Sequence, residues 1–448
     1  MATESLAPVA AITNLVLGLI TIWMANRGEA KESHRRFTAL IIGWVFVVLA
    51  VYHGTESVMN QLYPDTPITS EQGTQVNLGL FAFTDSVGLN FVVTVLFFAQ
   101  ALLNVLMLVL ALHLPHDLGK GRVWNAGVLG LVLLYGVVLP PLIVMSGFRM
   151  AVVQSLVWVA VGLYWLHTYV RAVVEEHRTG SEAARSTSKA SALLFVIWLG
   201  PTMIWWLSAF TFLNNEWFVS VLIGMEESPS LPWLVGINLG WSIGAIGSIV
   251  LTVGEVFRCV NRGVSTVSVI VFSVVMIGFF GWIYDVASLE NYYSCLEGKC
   301  EGYSPILDLL NYLTAGILVY LIKPLLLVYL MLQYNIIDTA DEQNRNLVRI
   351  LVLLVLLILS SSIIEMIQSL IPIPQMVTGS LLAIGVVFFI GWEEKITAVF
   401  LGMGTQEDGL SVAGDGFEES QLRNISFVMM FLLGYAAVVS IALAASGV

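Results

Sequence analysis

Runs of about twenty apolar residues, unbroken by charge, recur along almost the whole chain, and a soluble fold has no place for so many. They fall at 7–25, 37–57, 88–113, 125–146, 150–171, 191–213, 233–257, 266–286, 305–333, 347–370, 375–400 and 425–446. A helix rises about 1.5 Å per residue, so each run matches the roughly 30 Å hydrocarbon core of a bilayer. Barrel strands would be about ten residues long and would alternate polar with apolar. The pattern therefore predicts an all-α, polytopic transmembrane bundle of about twelve spanning helices. Of the 448 residues, 58% are hydrophobic and 11% charged. A soluble domain carries about 25% charged residues, so this chain must expose apolar area to lipid. No hydrophilic stretch is long enough to bury a core, which predicts one integral membrane domain over 1–448 and no separate soluble domain.

Orientation is read from lysine and arginine, which concentrate on the cytoplasmic side. Sixteen of the 19 lie in the odd-numbered loops or at their edges, among them Arg27, Lys31, Arg35, Arg36, Arg171, Arg178, Arg185, Lys189, Arg258 and Arg262. The even-numbered loops hold Arg149 and Lys299, and Lys323 lies inside a span. The bias predicts that both termini are outside and that the chain sits in a cell membrane. The longest cytoplasmic loops would then be 172–190 and 401–424. Cys295 and Cys300 fall in the outer loop after the eighth span, where a disulfide between them would persist. The net charge of −12 comes from loop carboxylates and offers nothing to nucleic acid.

Several polar constellations stand out against this background. His53 and Glu56 share a helix face one turn apart, at the outer end of the second span. Asp85, Asp285, Asp308 and Glu365 map to a similar depth. Together they suggest an outer site for a ligand, an ion or a proton, against the plainer reading of solvated helix ends. Lys323 lies in a long apolar run, just before Pro324. It either snorkels to headgroups, pairs with a buried acid such as Glu255, or binds a ligand anion. Gly236, Gly240, Gly244 and Gly247 form a small-residue face on the seventh span, suited to close helix packing or to a helix that moves. On the third span Gln100 and Asn104 share a face and suit bonds between helices or a substrate path. His113 and His167 would serve haem only if they faced one another. The sequence specifies no cofactor or metal, and no catalytic motif is present, so an enzyme is not expected.

The stretch LLLVYLMLQYNIID (325–338), the basic pair Arg345 and Arg349, the apolar helix 350–370 and LLAIGVVFFIGWEEK (381–395) follow in order. This region resembles the end of the multi-helix sensor region of membrane histidine kinases. ESHRRFTALIIGWVFVVLAVYHGTE (32–56) is similar to an early helix of such regions. The sequence departs from them in showing no kinase, phosphoacceptor or cyclase domain and in having a twelfth span. The resemblance implies a sensor-like module that signals through a cytoplasmic or membrane protein partner. A secondary transporter and a non-catalytic subunit of a membrane complex are the alternatives.

Overall fold

A computed structural model describes residues 6–27, 33–62, 87–116, 150–204, 231–287, 317–334 and 347–354, with a few single positions besides. Among these residues the secondary structure is helical, with no strand. Eight helices carry the description: α1 (Ala7–Arg27), α2 (Ser33–Leu62), α3 (Val87–His113), α4 (Met150–Thr179), α5 (Glu182–Ile204), α6 (Leu231–Arg262), α7 (Thr266–Ala287) and α8 (Val319–Gln333). The first six are long and apolar enough to cross a membrane. The expected spans at 375–400 and 425–446, all but three positions of the span at 125–146, and the cysteines Cys295 and Cys300 lie outside the described residues.

The helices belong to two compact units. The first holds α1, α2 and α8, and the second holds α3 to α7. In the first, α1 and α2 form a close antiparallel pair. Their backbones approach at glycines. A Cβ on Gly18 would sit 2.9 Å from the Gly43 carbonyl oxygen, and one on Gly43 would sit 2.6 Å from Ile22 Cγ1. The outer faces stay apolar: Ile12, Leu15, Leu19 and Trp23 on α1, and Phe37, Trp44, Val51 and Val58 on α2, are all exposed. Exposed apolar stripes at helical spacing are what lipid-facing helices require.

In the second unit α5 is the central helix, packed by α4, α6 and α7, while α3 lies on α4. Every residue of α5 from Ala190 to Gly200 is buried. The α6–α5 contact uses two of the four predicted glycines. Gly244 lies against Thr202 and Gly247 against the Phe195 ring, so neither position has space for a Cβ. Gly236 and Gly240 lie on the same helix, with surroundings outside the described residues. Two further glycines extend this close packing: Gly254 seats the Tyr169 ring and Gly278 of α7 meets the Ile204 carbonyl of α5.

The expected loop at 172–190 is not a loop. α4 runs on to Thr179 and α5 begins at Glu182, leaving a break of two residues. The reason is local. Gly180 takes a positive φ of 70°, which closes α4 through its N–H to the Glu176 carbonyl at 2.9 Å. The Ser181 hydroxyl then accepts the Ala184 N–H at 3.4 Å and caps α5, with Glu182 in the favourable first turn. The α6–α7 turn repeats this chemistry. Gly263 (φ 83°) closes α6, and Ser265 accepts the Ser268 N–H at 3.1 Å to cap α7. Charge and polarity at 172–190 marked a helix end projecting past the apolar segment, and not an irregular connection.

Candidate functional site

Two polar sites emerge, one in each unit. The first is the expected pair on α2. His53 is 2% exposed, and its Nδ1 lies 3.2 Å from Glu56 Oε2. The helical spacing of three residues brings the two groups together on one face. The structure adds a partner the sequence reading did not include. Tyr320 of α8 donates its hydroxyl to Glu56 Oε1 at 2.8 Å, and its ring lies 4.7 Å from the His53 ring, centre to centre. Both oxygens of Glu56 are thus engaged, one within α2 and one from α8. The Glu56 side chain remains 19% exposed. Of the other acids placed at this depth, Asp85, Asp308 and Glu365 lie outside the described residues, and Asp285 lies on α7 with its side chain outside them. Lys323 lies one turn beyond Tyr320 on α8 and is half-buried. Among the described residues no group of three or more His, Cys, Asp or Glu side chains gathers to hold a metal ion.

The second site is a charged network at the end of the other unit where the α4–α5 and α6–α7 turns lie. Glu255 of α6 is completely buried. It accepts hydrogen bonds from Tyr169 of α4 at 3.0 Å, from Arg258 Nη1 at 2.8 Å, and from the Ser268 hydroxyl of α7 at 2.5 Å. Its counter-charge is therefore Arg258, three residues on in the same helix. Arg258 also lies against Glu176 of α4, Nε to Oε2 at 3.1 Å. Glu176 receives the Ser188 hydroxyl of α5 at 3.4 Å and faces Arg262 at 3.7 Å. Arg262 donates to the Glu176 carbonyl at 3.4 Å, which places a cation at the C-terminal end of α4. Two carboxylates and two guanidiniums balance in charge, and α4, α5, α6 and α7 all contribute to the network.

The arrangement of α6 decides what surrounds it. Gly244, Ser248, Leu251, Glu255 and Arg258 point inward, while Ile246, Ile249, Val253, Val256 and Val260 are exposed. A soluble helix would be turned the other way, with charge to water and aliphatic residues to the core. Polar groups inside and aliphatic groups outside fit an apolar solvent. α6 is the helix on which the membrane character of the chain is most directly visible.

The buried polar positions of α3 were also singled out by sequence. Gln100 and Asn104 are both buried, and among the described residues the Asn104 amide nitrogen has no hydrogen-bond partner. His167 is exposed on α4. Of the second network, the sequence reading singled out Glu255 alone. The signal for the rest was the appearance of Tyr169, Glu176, Glu255 and Arg258 at i, i+7 and i, i+3 spacings in helices otherwise apolar on their outer faces. No family model, curated protein or solved structure matches the chain.

Proposed function

We propose that the chain is a multi-pass integral protein of a cell membrane, with about twelve spans and both termini outside, that works as a sensor-like or receptor-like module. In this reading it takes a ligand or an ion at its outer face, at His53 and Glu56. It then signals through a cytoplasmic or membrane protein partner, in the manner implied by its resemblance to the sensor regions of membrane histidine kinases. The observation that carries the reading is the His53–Glu56–Tyr320 cluster. A buried imidazole and a partly exposed carboxylate join α2 to α8, and any cation, amine or proton that competes for Glu56 alters that junction. A cation arriving at Glu56 replaces the Tyr320 hydroxyl or the imidazole as its partner. A proton removes the charge that both of them stabilise.

The test uses the purified chain in lipid nanodiscs. Tryptophan fluorescence is followed as pH, monovalent cations and small amines are varied, for the natural chain and for His53→Ala and Glu56→Gln. The reading expects a response that both substitutions abolish or displace. A response indifferent to both variants removes the site, and with it the basis for a sensor.

Secondary transport is the second reading, favoured by the unpartnered Asn104 amide beside Gln100 within α3. It predicts uptake of solute into proteoliposomes that Asn104→Ala diminishes. A non-catalytic subunit would instead retain a second polypeptide in native mass spectrometry after gentle extraction.

A further inference from the structure

The C-terminal ends of α4 and α6 meet on the outer surface of their unit. The His177 ring of α4 lies against the Phe257 ring of α6, with centres 4.9 Å apart, and both side chains are exposed. From this contact an exposed aliphatic stripe runs back along each helix. On α4 it is Leu163, Val170 and Val174, all on one face. On α6 it is Ile246, Ile249, Val253, Phe257 and Val260, which recur every three or four residues and also share a face. From Ile246 to Val260 the α6 stripe extends about 21 Å at about 1.5 Å per residue. The two stripes border one seam, and the ring pair marks where it ends.

A cation stands at that end. Arg178 lies four residues after Val174, on the same face of α4, and is exposed. Among the described residues no acid pairs with it. The acids nearby are directed elsewhere. Glu176 and Glu255 face inward on Arg258. Glu175 is two residues from His177, which places it on the opposite flank of α4, and Glu182 opens α5 beyond the turn. The seam therefore suits an occupant that is apolar for most of its length and anionic at one end. A free anion lacks the apolar part, and an acidic soluble peptide lacks it as well.

We propose that the α4–α6 seam holds one anionic phospholipid, with its phosphate on Arg178 beside His177 and an acyl chain along Val174, Val253 and Phe257. A guanidinium presents paired N–H groups to two phosphate oxygens, which makes arginine apt for this contact. The exposed aliphatic stripe of α4 stops at Val174, one turn before Arg178, so the cation meets the bilayer where hydrocarbon gives way to headgroups. The site rests on the membrane-spanning part of the reading above and is independent of the His53–Glu56 cluster.

Native mass spectrometry of the full chain tests it, after reconstitution in nanodiscs of phosphatidylcholine and phosphatidylglycerol and gentle extraction. The natural chain is expected to retain one phosphatidylglycerol in preference to phosphatidylcholine. Arg178→Gln should lower that retention about fivefold, the usual worth of one basic side chain at an anionic surface. Val174→Ser, which makes the seam polar and leaves the cation in place, should weaken it too. Arg36→Gln removes the same charge from α2 and should change nothing. All three positions are exposed or half-buried, so the variants keep the packing of the fold. Equal retention of the two lipids overturns the proposal, as does an equal loss in Arg36→Gln, which marks general charge attraction. Displacement of the lipid by millimolar inorganic phosphate, or a polypeptide retained in its place, overturns it as well. Alkaline carbonate extraction separates the two readings: a chain released from membranes fails the membrane reading, whereas a chain that stays and shows no lipid preference fails this site alone.

Discussion

The two polar sites use the same kinds of side chain and reach opposite arrangements. In the α1–α2–α8 unit a single carboxylate, Glu56, is held by an imidazole and a phenol and keeps 19% of its surface open. In the α3–α7 unit two carboxylates and two arginines enclose one another, and Glu255 has no exposed surface. A partly exposed carboxylate can exchange partners with the surroundings. A closed neutral network can only exchange partners internally. The first arrangement leaves its carboxylate partly exposed, and the second ties α4, α5, α6 and α7 together.

The comparison breaks most directly at Arg258. Its removal in Arg258→Ala leaves two buried carboxylates without their shared cation, a loss of about 3–5 kcal/mol. The chain should unfold at markedly lower denaturant or temperature, or fail to accumulate. Glu56→Gln, which removes the charge of the open site, should cost far less, because that side chain is partly exposed and leaves no buried arginine unpaired. Equal losses in thermal unfolding of the two variants would show that exposure does not distinguish the sites.

Acid supplies the next largest effect. His116, just beyond the end of α3, is buried, and burial pushes its imidazole down from 6.5 to about 4. The folded state keeps it neutral where the unfolded chain would bind a proton. Stability from this group is complete above about pH 6.5 and falls as pH drops toward 4. His116→Gln should flatten that part of the stability profile.

Packing gives a third contrast. A Cβ at Gly278 strikes the Ile204 carbonyl, which belongs to the α5 backbone and cannot rotate away. Gly278→Ala should cost about 1–3 kcal/mol through overpacking. Gly54→Ala places its Cβ 3.7 Å from Ala11 Cβ, an ordinary contact, and should leave the unfolding midpoint nearly unchanged.

What the sequence revealed follows from the physics of each feature. Apolar length is a local property, so α1, α2, α3, α6 and α7 begin and end within several residues of expectation. The His53–Glu56 pair was legible because both members lie on one helix at a fixed spacing. Tyr320 was not, because its hydroxyl meets Glu56 across 264 positions of sequence, and no periodicity encodes such a contact. The Arg258 network was hidden for a second reason. Charge near the end of an apolar run reads as solvated surface, and only the extension of α4 and α5 past that run encloses Glu176 and Arg258. The capping signals at Gly180–Ser181 and Gly263–Ser265 were the local evidence for that extension. A positive-charge count treats 172–190 as a loop and passes over them.

The smallest expected effect separates the sites most finely. Tyr320→Phe and Tyr169→Phe each remove one hydroxyl from a carboxylate and leave the ring in place. At Glu56 water can replace the lost donor, so Tyr320→Phe should lower stability by only about 0.5–1 kcal/mol. At Glu255 no water enters, and Oε1 is left with Arg258 alone, so Tyr169→Phe should cost more, about 1–3 kcal/mol. The difference between the two variants, measured by denaturant unfolding in the same lipid, therefore reports the access of water to each carboxylate. If Tyr320→Phe proves as costly as Tyr169→Phe, water does not reach Glu56. A carboxylate that water cannot reach is closed to a hydrated cation as well, and the case for reception at His53 and Glu56 would then fail on access alone.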